Sequence, residues 1–233
     1  MDVGSGRLLL LDLDGVVVLE SGPPLCETLQ ILVLHEQLVA QLARLGMPTY
    51  VLTHRSRSEA LRILEAAGVP ESGLAGVFAA EDIFFSAIRH GLAFTVLRHG
   101  LRKSLILPEL KRRSGIGRSR TILIDDRKDN VQDMLDSGVG LVLHAPSEIA
   151  ADGGSFVTFD FEEAVQAITG WTAETPTVIT LRALRLEPGH VRHSGMNTRA
   201  QARHVFNFVR PMRRHLGSWL AETGKSIRLR FRR

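Results

Sequence analysis

The opening apolar run constrains the fold of this chain more than any other feature. Residues 8–18 read Leu-Leu-Leu-Leu-Asp-Leu-Asp-Gly-Val-Val-Val, and the four leucines are typical of a strand buried on both faces of a parallel sheet. Asp12 and Asp14 lie two residues apart, so in an extended segment both side chains point into the crevice beyond the strand. Carboxylates that close call for a cation or a shared proton. The alternative is an Asx-type turn in which Gly15 takes a positive φ and no chemistry occurs.

The rest of residues 1–170 alternates between strand and helix patterns. Strands are predicted over 48–53, 75–79, 120–126, 139–143 and 156–159, and helices over 57–67, 105–113 and 131–136, with a further helix ending at Gly46. Residues 81–100 are compatible with either a helix or a loop and receive no assignment. The alternation predicts βαβ units and a three-layer α/β fold around a parallel sheet.

Further polar residues stand where the predicted strands end. Thr53 ends the second strand, and Asp125 and Asp126 end the strand over 120–126. The carboxyl ends of parallel strands lie at one edge of a sheet, where such folds bind their ligands. We therefore expect these three side chains to meet Asp12 and Asp14 there.

The charge of the chain is unevenly divided. Residues 171–233 carry 13 lysines and arginines against three acidic residues, a balance of +10, and the total of +4 leaves −6 for residues 1–170. We therefore predict an acidic α/β domain over 1–170 and a small basic α+β extension over 171–233. The basic segment favours RNA or DNA as a partner, although an arm that docks on the acidic body in a homo-oligomer explains the charge equally well.

Cysteine content and hydropathy limit the compartment. A single cysteine, Cys26, excludes a disulfide framework and any multi-cysteine metal site within the chain. The apolar run at residues 8–11 is too short to cross a membrane, and no basic region precedes it, so neither a signal peptide nor an anchor is expected. These features predict a cytoplasmic protein with no membrane partner.

Four segments resemble the motifs of the haloacid dehalogenase (HAD) superfamily of phosphatases and phosphotransferases. They are Leu11-Asp-Leu-Asp-Gly-Val-Val, Val51-Leu-Thr53, Lys103 and Ile124-Asp-Asp-Arg-Lys-Asp-Asn130, in the family's order along the chain. The resemblance covers residues 8–142. It implies a Rossmann-like fold and a Mg²⁺-dependent phosphoric monoester hydrolase that acts on a phosphorylated substrate.

The resemblance implies distinct roles for the carboxylates. Asp12 is the nucleophile that forms an aspartyl-phosphate, and Asp14 protonates the leaving oxygen and then activates a water. Asp12, the Asp14 backbone carbonyl and Asp126 would bind Mg²⁺ with support from Asp125, unless the roles of Asp125 and Asp126 are exchanged. Asn130 is expected to hydrogen-bond behind these ligands.

The other matched residues are expected to contact the substrate. Thr53 should donate its hydroxyl to a phosphoryl oxygen, and Lys103 should offset the charge that develops during transfer. Gly15 belongs to the same predicted phosphoryl-binding set. His54 and Arg55 directly follow Thr53 and are candidate substrate contacts, with simple surface exposure as the alternative.

The substrate is predicted less directly than the chemistry. Arg102-Lys103 with the fourth motif resembles the 3′-phosphatase domain of polynucleotide kinase-phosphatases, which predicts nucleic-acid 3′ ends as substrates. The spacings from Asp14 to Thr53 and from Thr53 to Lys103 leave no room for a large cap domain, so we expect an open site. The alternatives are a HAD phosphatase for a small metabolite or a phosphoprotein, and a nucleic-acid-binding or assembly protein that uses a HAD scaffold.

The basic extension carries its own patterns. Strands are predicted over 177–186 and 226–232, and apolar residues between Val205 and Leu220 predict a helix divided at Pro211. Gly224-Lys-Ser226 is not a P-loop, because it follows a helix and lacks the first glycine, and His190 and His193 lack further zinc ligands nearby. Seven arginines of the extension could neutralise phosphates: Arg203, Arg210, Arg213, Arg214, Arg228, Arg230 and Arg232.

Overall fold

A parallel sheet of six strands forms the centre of the molecule. The structure is a computed structural model that describes residues 6–21, 28–35, 38–149, 156–172, 175–186 and 192–197. Every neighbouring pair of strands in this sheet is parallel. In order across the sheet the strands are β10 (Thr177–Thr180), β7 (Leu141–His144), β6 (Thr121–Asp125), β1 (Leu8–Leu11), β4 (Thr49–Leu52) and β5 (Gly76–Phe78).

The leucines of β1 explain why this strand lies inside the sheet. All four are fully buried, because β4 and β6 cover both edges of the strand and helices cover both faces. Leu9 and Leu11 pack into one core, and Leu8 and Leu10 pack into the other. A strand that is apolar at every position suits this place, since the side chains of a strand alternate between its two faces.

Seven helices among the described residues flank the sheet. Their bounds are α1 (Leu38–Leu45), α2 (Arg57–Ala66), α3 (Ala80–Arg89), α4 (Ala93–His99), α5 (Leu107–Ser114), α6 (Lys128–Asp136) and α7 (Phe161–Gly170). Buried residues of α1, α2 and α7 pack on the face that holds Leu9, and those of α3, α5 and α6 pack on the opposite face. The predicted three-layer α/β fold with a parallel sheet is therefore confirmed.

Two small antiparallel sheets accompany the central one. In the first, β3 (Thr28–Val33) pairs with both β2 (Val18–Ser21) and β12 (Arg192–Asn197). In the second, β9 (Phe156–Phe159) pairs with both β8 (Glu148–Ile149) and β11 (Ala183–Leu186). The strand predicted over 156–159 is thus present, but it lies outside the central sheet.

Three segments differ from the sequence-based expectations. Residues 81–100, which received no assignment, form α3 and α4, with a turn at Gly91 where φ is +73°. The strands β2 and β3 occupy a stretch for which the sequence predicted no strand. The segment over 177–186 is divided into two strands, of which β10 extends the central sheet and β11 pairs with β9.

The basic extension is described only in part. The strand β10 joins the central sheet beyond residue 170, and residues 198–233 lie outside the described residues. The predicted helix between Val205 and Leu220 and the predicted strand over 226–232 fall there, so the division into 1–170 and 171–233 stays a prediction. Within the described ranges, no helix is long and apolar enough to cross a membrane.

Candidate active site

Three of the four predicted carboxylates, all but Asp14, meet at the carboxyl edge of the central sheet. Asp12 directly follows β1, and its backbone N–H donates to the carbonyl of Ile124 on the adjacent β6 at 2.9 Å. Asp12, Asp125 and Asp126 each offer an oxygen within 4.8 Å of the others. The site lies where the strand order reverses, because the chain continues from β1 to β4 on one side and returns as β6 on the other. Open α/β sheets bind their ligands at such a switch point.

Lys103 lies inside this cluster rather than beside it. Its ammonium group is 2.7 Å from Asp12 Oδ2 and 2.7 Å from Asp125 Oδ2, and the side chain is 1% exposed. Burial opposes the charged form, but the two carboxylates outweigh it and raise the pKa of Lys103 above its ordinary value. A short 3₁₀ turn over Lys103–Ile106 carries the lysine to this position.

Asp12 is buried in a strongly polar environment. Its Oδ1 accepts the Leu13 N–H at 2.7 Å, and its Oδ2 contacts Lys103. Burial raises the pKa of Asp12 to about 8, against the opposing positive charge of Lys103, and the nearby Asp125 acts in the same direction as burial. Burial therefore disfavours the charged form of Asp12 even though the Lys103 ammonium is in contact with it.

The two carboxylates at the end of β6 differ in their hydrogen bonding. Asp125 is fully buried, and both of its oxygens accept hydrogen bonds from neighbours: Lys103 at 2.7 Å, the Asn130 amide at 3.0 and 3.2 Å, and the Arg127 N–H at 3.0 Å. Asp126 Oδ2 accepts the Ser147 hydroxyl at 2.9 Å. Asp126 Oδ1 is buried and has no hydrogen-bond partner among the described residues.

This difference bears on how a metal ion would fit. A buried carboxylate oxygen without a partner is costly unless a ligand satisfies it, and burial raises the pKa of Asp126. Oxygen donors from Asp12 and Asp126 suit Mg²⁺, which takes one or two carboxylates and keeps several waters. The residues present therefore fit the ion, with Asp126 better suited than Asp125 to hold it directly.

Gly15 lies against Asp126. Its φ is +76°, and a Cβ at this position would lie 2.2 Å from Asp126 Oδ2 and 2.5 Å from Ser147 Oγ. Its N–H donates to the Val18 carbonyl at 2.7 Å and closes the turn that follows Asp14. Only glycine accommodates both the backbone conformation and the close approach.

Thr53 is anchored at the end of β4. Its N–H donates to the Phe78 carbonyl at 2.9 Å, and its hydroxyl oxygen accepts the Arg55 N–H at 3.1 Å. The hydroxyl proton is therefore directed to another acceptor. The side chain is buried beside this edge of the sheet.

Asp14 is held outside the three-carboxylate cluster. Its carboxylate accepts hydrogen bonds from Arg55, with Nε at 3.0 and 2.9 Å and Nη2 at 2.8 Å. Arg55 also pairs with Glu59 on α2. The neighbouring His54 is exposed, and its pKa is lowered by partial desolvation and by the positive charge of Lys103.

Two contributors to this geometry were not identified from the sequence. Ser147 follows β7 and belongs to none of the matched motifs, so only its contact with Asp126 reveals it. Glu59 stands four residues after Arg55, and this spacing of opposite charges is the one sequence signal that could have indicated the ion pair between them. Asn130, which was expected to hydrogen-bond behind the predicted metal ligands, donates its amide N–H to Asp125.

Comparison with known proteins gives structural similarity only. No protein-family model and no curated protein sequence matches the chain. Among solved structures, the 3-deoxy-D-manno-octulosonate 8-phosphate phosphatase from Moraxella catarrhalis, in complex with magnesium and phosphate ions and KDO, is 17% identical. The match covers 59% of this chain and 67% of that one, with a TM-score of 0.36.

Two further solved structures match a similar share of this chain. The N-terminal part of protein BF1531 from Bacteroides fragilis, which contains a phosphatase domain complexed with Mg, is 16% identical over 58% of this chain and 34% of that one, with a TM-score of 0.41. The haloacid dehalogenase-like hydrolase protein yhjK from Bacillus subtilis is 11% identical over 59% and 75%, with a TM-score of 0.36. Similarity this low carries no argument about function, which must come from the site itself.

Proposed function

We propose that the chain is a Mg²⁺-dependent HAD-type phosphatase that hydrolyses a phosphomonoester through an aspartyl-phosphate intermediate. The observation that carries this proposal is the buried cluster of Asp12, Lys103, Asp125 and Asp126. Asp12 and Asp125 are buried in contact with the Lys103 ammonium, and the half-buried Asp126 lies beside them, a concentration of carboxylates that a cation would stabilise. A structural ion pair needs no more carboxylates than ammonium groups, whereas a site that binds a metal ion for phosphoryl transfer needs additional carboxylates.

Asp12 and Asp126 would hold the Mg²⁺ ion, together with the backbone carbonyl of Asp14. Asp125 would support the site from behind, where Lys103 and Asn130 hold it. When bound, the ion offsets the repulsion between the Asp12 carboxylate and an anionic phosphoryl group.

The reaction uses the two aspartates of the first motif in turn. A carboxylate oxygen of Asp12 attacks phosphorus, and the bond from phosphorus to the leaving oxygen breaks while Asp14 donates a proton to that oxygen. Asp14 then accepts a proton from a water whose oxygen attacks the same phosphorus. The bond between Asp12 and phosphorus breaks, which releases inorganic phosphate and restores the carboxylate.

Thr53 and Lys103 serve the phosphoryl group. The Thr53 hydroxyl accepts from the Arg55 N–H, which leaves its own proton for a phosphoryl oxygen. Lys103 orients Asp12 and places a buried positive charge where negative charge develops during transfer. Gly15 keeps the first motif close to Asp126.

The substrate that we propose is a phosphorylated nucleic-acid 3′ end. Two features support it: the resemblance of the motifs to polynucleotide 3′-phosphatases, and the balance of +10 over residues 171–233, which suits a polyanion. The same charge also supports the alternative of a nucleic-acid-binding or assembly protein on a HAD scaffold. A small metabolite or a phosphoprotein is the remaining alternative for the phosphatase.

A turnover assay tests the activity. We expect Mg²⁺-dependent hydrolysis of 4-nitrophenyl phosphate by the full chain, and its loss in Asp12→Asn with the fold retained by circular dichroism. Asp136→Asn, an aspartate at the end of α6 away from the cluster, is the matched control and should keep wild-type activity. Full activity in Asp12→Asn would exclude this residue as the nucleophile, and absence of turnover in the wild type would favour the binding-protein alternative.

A second experiment tests the substrate class. We expect 3′-phosphorylated oligonucleotides to be hydrolysed faster than nucleotides, sugar phosphates or phosphopeptides. Glutamine replacements at Arg213, Arg214, Arg228 and Arg230 in the full chain should weaken oligonucleotide binding and flatten its dependence on salt. Equal binding by the wild type and this variant would remove the basic extension from substrate recognition.

A further inference from the structure

Arg55 connects the first two motifs through its side chain. Its guanidinium lies in side-on contact with Asp14, with Nε and Nη2 donating to the carboxylate at 2.8–3.0 Å. Arginine is suited to this task because its donors form a rigid planar fork that fits a carboxylate. The contact spans 41 positions of the sequence, from the turn after β1 to the loop after β4.

A second carboxylate fixes the guanidinium itself. Glu59, on the first turn of α2, pairs with Nη1 on the other side of the guanidinium. The side chains of Arg55 and Glu59 are only 19% and 21% exposed, whereas that of Asp14 is 39% exposed. The partly exposed Asp14 is thus held by the less exposed Arg55, which is held in turn by Glu59.

The backbone of Asp14 and its side chain are held by separate interactions. The turn around Asp14 is closed by the N–H groups of Val17 and Val18, both of which donate to the Leu13 carbonyl at 3.0 Å. These backbone hydrogen bonds do not restrict rotation of the Asp14 carboxyl group about its own side-chain bonds. Arg55 supplies this restriction.

We propose that Arg55 is a positioning residue that holds the Asp14 carboxyl group at the place where it exchanges a proton with the leaving oxygen, and that Glu59 holds Arg55 for this purpose. The inference rests on the proposed function, because it assigns the proton transfer to Asp14. It departs from the expectation that Arg55 contacts the substrate directly. A substrate contact would stabilise every phosphomonoester, whereas a positioning role matters only when the leaving group needs a proton.

Two substrates of similar size separate these roles. The nitrophenolate of 4-nitrophenyl phosphate leaves as a stable anion, whereas the alkoxide of benzyl phosphate must be protonated. The ratio of kcat/KM for the two compounds therefore reports on proton transfer in the first chemical step, and uniform effects on binding or stability cancel in it.

We expect Arg55→Gln to lower kcat/KM for benzyl phosphate by about ten- to a hundredfold more than for 4-nitrophenyl phosphate, within the range that general acid catalysis supplies. Glu59→Gln should have a smaller effect in the same direction. Arg55→Lys keeps the positive charge but loses the fork, so the selective loss should persist. The matched control is Arg57→Gln, which removes an ion pair with Asp82 outside the site and should leave the ratio unchanged.

A double-variant cycle completes the test. If Arg55 acts through Asp14, then adding Arg55→Gln to Asp14→Asn should lower kcat/KM for benzyl phosphate no further. Equal losses on both substrates, or additive losses in the double variant, would show that Arg55 contacts the substrate and would overturn the positioning role. If the wild type hydrolyses neither compound, the phosphatase assignment itself fails. If the wild type is active but the variants lose activity equally on both compounds, only the positioning role fails.

Discussion

At the scale of single residues, Gly15 shows how a contact from a distant strand fixes a residue type. A turn with a positive φ at this glycine was one of the two alternatives that the sequence left open, and the φ of Gly15 is +76°. What the sequence did not indicate is the approach of Asp126 and Ser147, which fill the space that a side chain would need. The glycine therefore has two requirements, one local and one tertiary.

Replacement of Gly15 by alanine measures both requirements together. We expect Gly15→Ala to lower the free energy of unfolding by about 3 kcal/mol or more, from backbone strain at positive φ and from overlap with Asp126. Gly46 is the control, because its φ is +61° and a Cβ added there would meet no atom of the described residues within 4 Å. Gly46→Ala should cost only the strain, about 1 kcal/mol. Urea unfolding of the two variants measures the difference, and equal losses would contradict the overlap.

Ser147 is the residue whose removal best tests the proposed metal site. Its hydroxyl donates to Asp126 Oδ2, and Oδ1 is the oxygen that would contact the proposed ion. Because such outer contacts orient metal ligands, Ser147→Ala should weaken Mg²⁺ binding about tenfold. Isothermal titration calorimetry with MgCl₂ measures this without any substrate. The exposed Ser119 provides the control Ser119→Ala, and an unchanged affinity in Ser147→Ala would mean that Asp126 needs no such support.

At the scale of elements, an ion-pair network joins α3 to α5. Glu109 on α5 is 2% exposed and accepts hydrogen bonds from Arg89 on α3 at 2.8 Å, and from Arg112 and Arg113 of its own helix at 2.6–2.8 Å. These arginines, led by Arg112, lower the pKa of Glu109 below its ordinary value. The helices beneath Lys103 are thereby tied together on one face of the sheet.

The network predicts a pH-dependent contribution to stability. A carboxylate whose pKa is lowered on folding stabilises the folded state above its unfolded pKa of about 4.5, and that contribution is lost as the pH falls below this value. We expect Glu109→Gln to lower the free energy of unfolding at pH 7 by about 2 kcal/mol. The difference from wild type should shrink at acid pH in urea unfolding.

A surface ion pair provides the control for Glu109. Glu162 is 3.9 Å from Arg44, and both side chains are more than half exposed. Glu162→Gln should therefore change stability by less than about 0.5 kcal/mol. A similar decrease in the free energy of unfolding in Glu109→Gln and Glu162→Gln would mean that burial does not strengthen the ion pairs of Glu109 with its arginines.

At the scale of the whole molecule, His35 links the central body to the small strands. It follows β3, and its ring centroid lies 4.6 Å from that of Phe159 on β9 and 5.4 Å from that of Phe161 on α7. Burial among these rings lowers the pKa of His35 to about 4. Protonation of His35 is therefore unfavourable in the folded protein and is coupled to unfolding.

This coupling predicts acid sensitivity in a defined range. The unfolded chain binds a proton at His35 below its unfolded pKa of about 6.5, whereas the folded protein does so only near pH 4. The free energy of unfolding should therefore decrease as the pH is lowered from about 6.5 to about 4, and His35 should contribute up to about 3 kcal/mol of this decrease. His35→Phe, which keeps an aromatic ring, should lose part of this pH dependence in urea unfolding. The exposed His99 offers the control His99→Gln, and identical pH profiles for wild type and His35→Phe would exclude the coupling.

The sequence by itself determined the elements whose signals are local. Continuous apolar runs identified β1, β4, β6 and β7, because a strand buried on both faces needs apolar side chains at every position. The same runs placed Asp12, Thr53, Asp125 and Asp126 at strand ends, and therefore at one edge of a parallel sheet. The three-layer fold and the location of the candidate site follow from these residues alone.

The tertiary structure decided what depends on partners far along the chain. The strand β3 lies between β2, which is close along the chain, and β12, which is far along it, and neither β2 nor β3 was predicted from the sequence. The helices α3 and α4 were not predicted because their two apolar faces meet at Gly91 without a continuous period. Contacts between distant segments also decide three features of the site. Lys103 is buried between two carboxylates, and Arg55 bridges to Asp14. Among the described residues, Asp126 Oδ1 has no hydrogen-bond partner. A sequence pattern records the spacing of neighbours along an element, but hydrogen bonding and desolvation at a site depend on which elements the fold brings side by side.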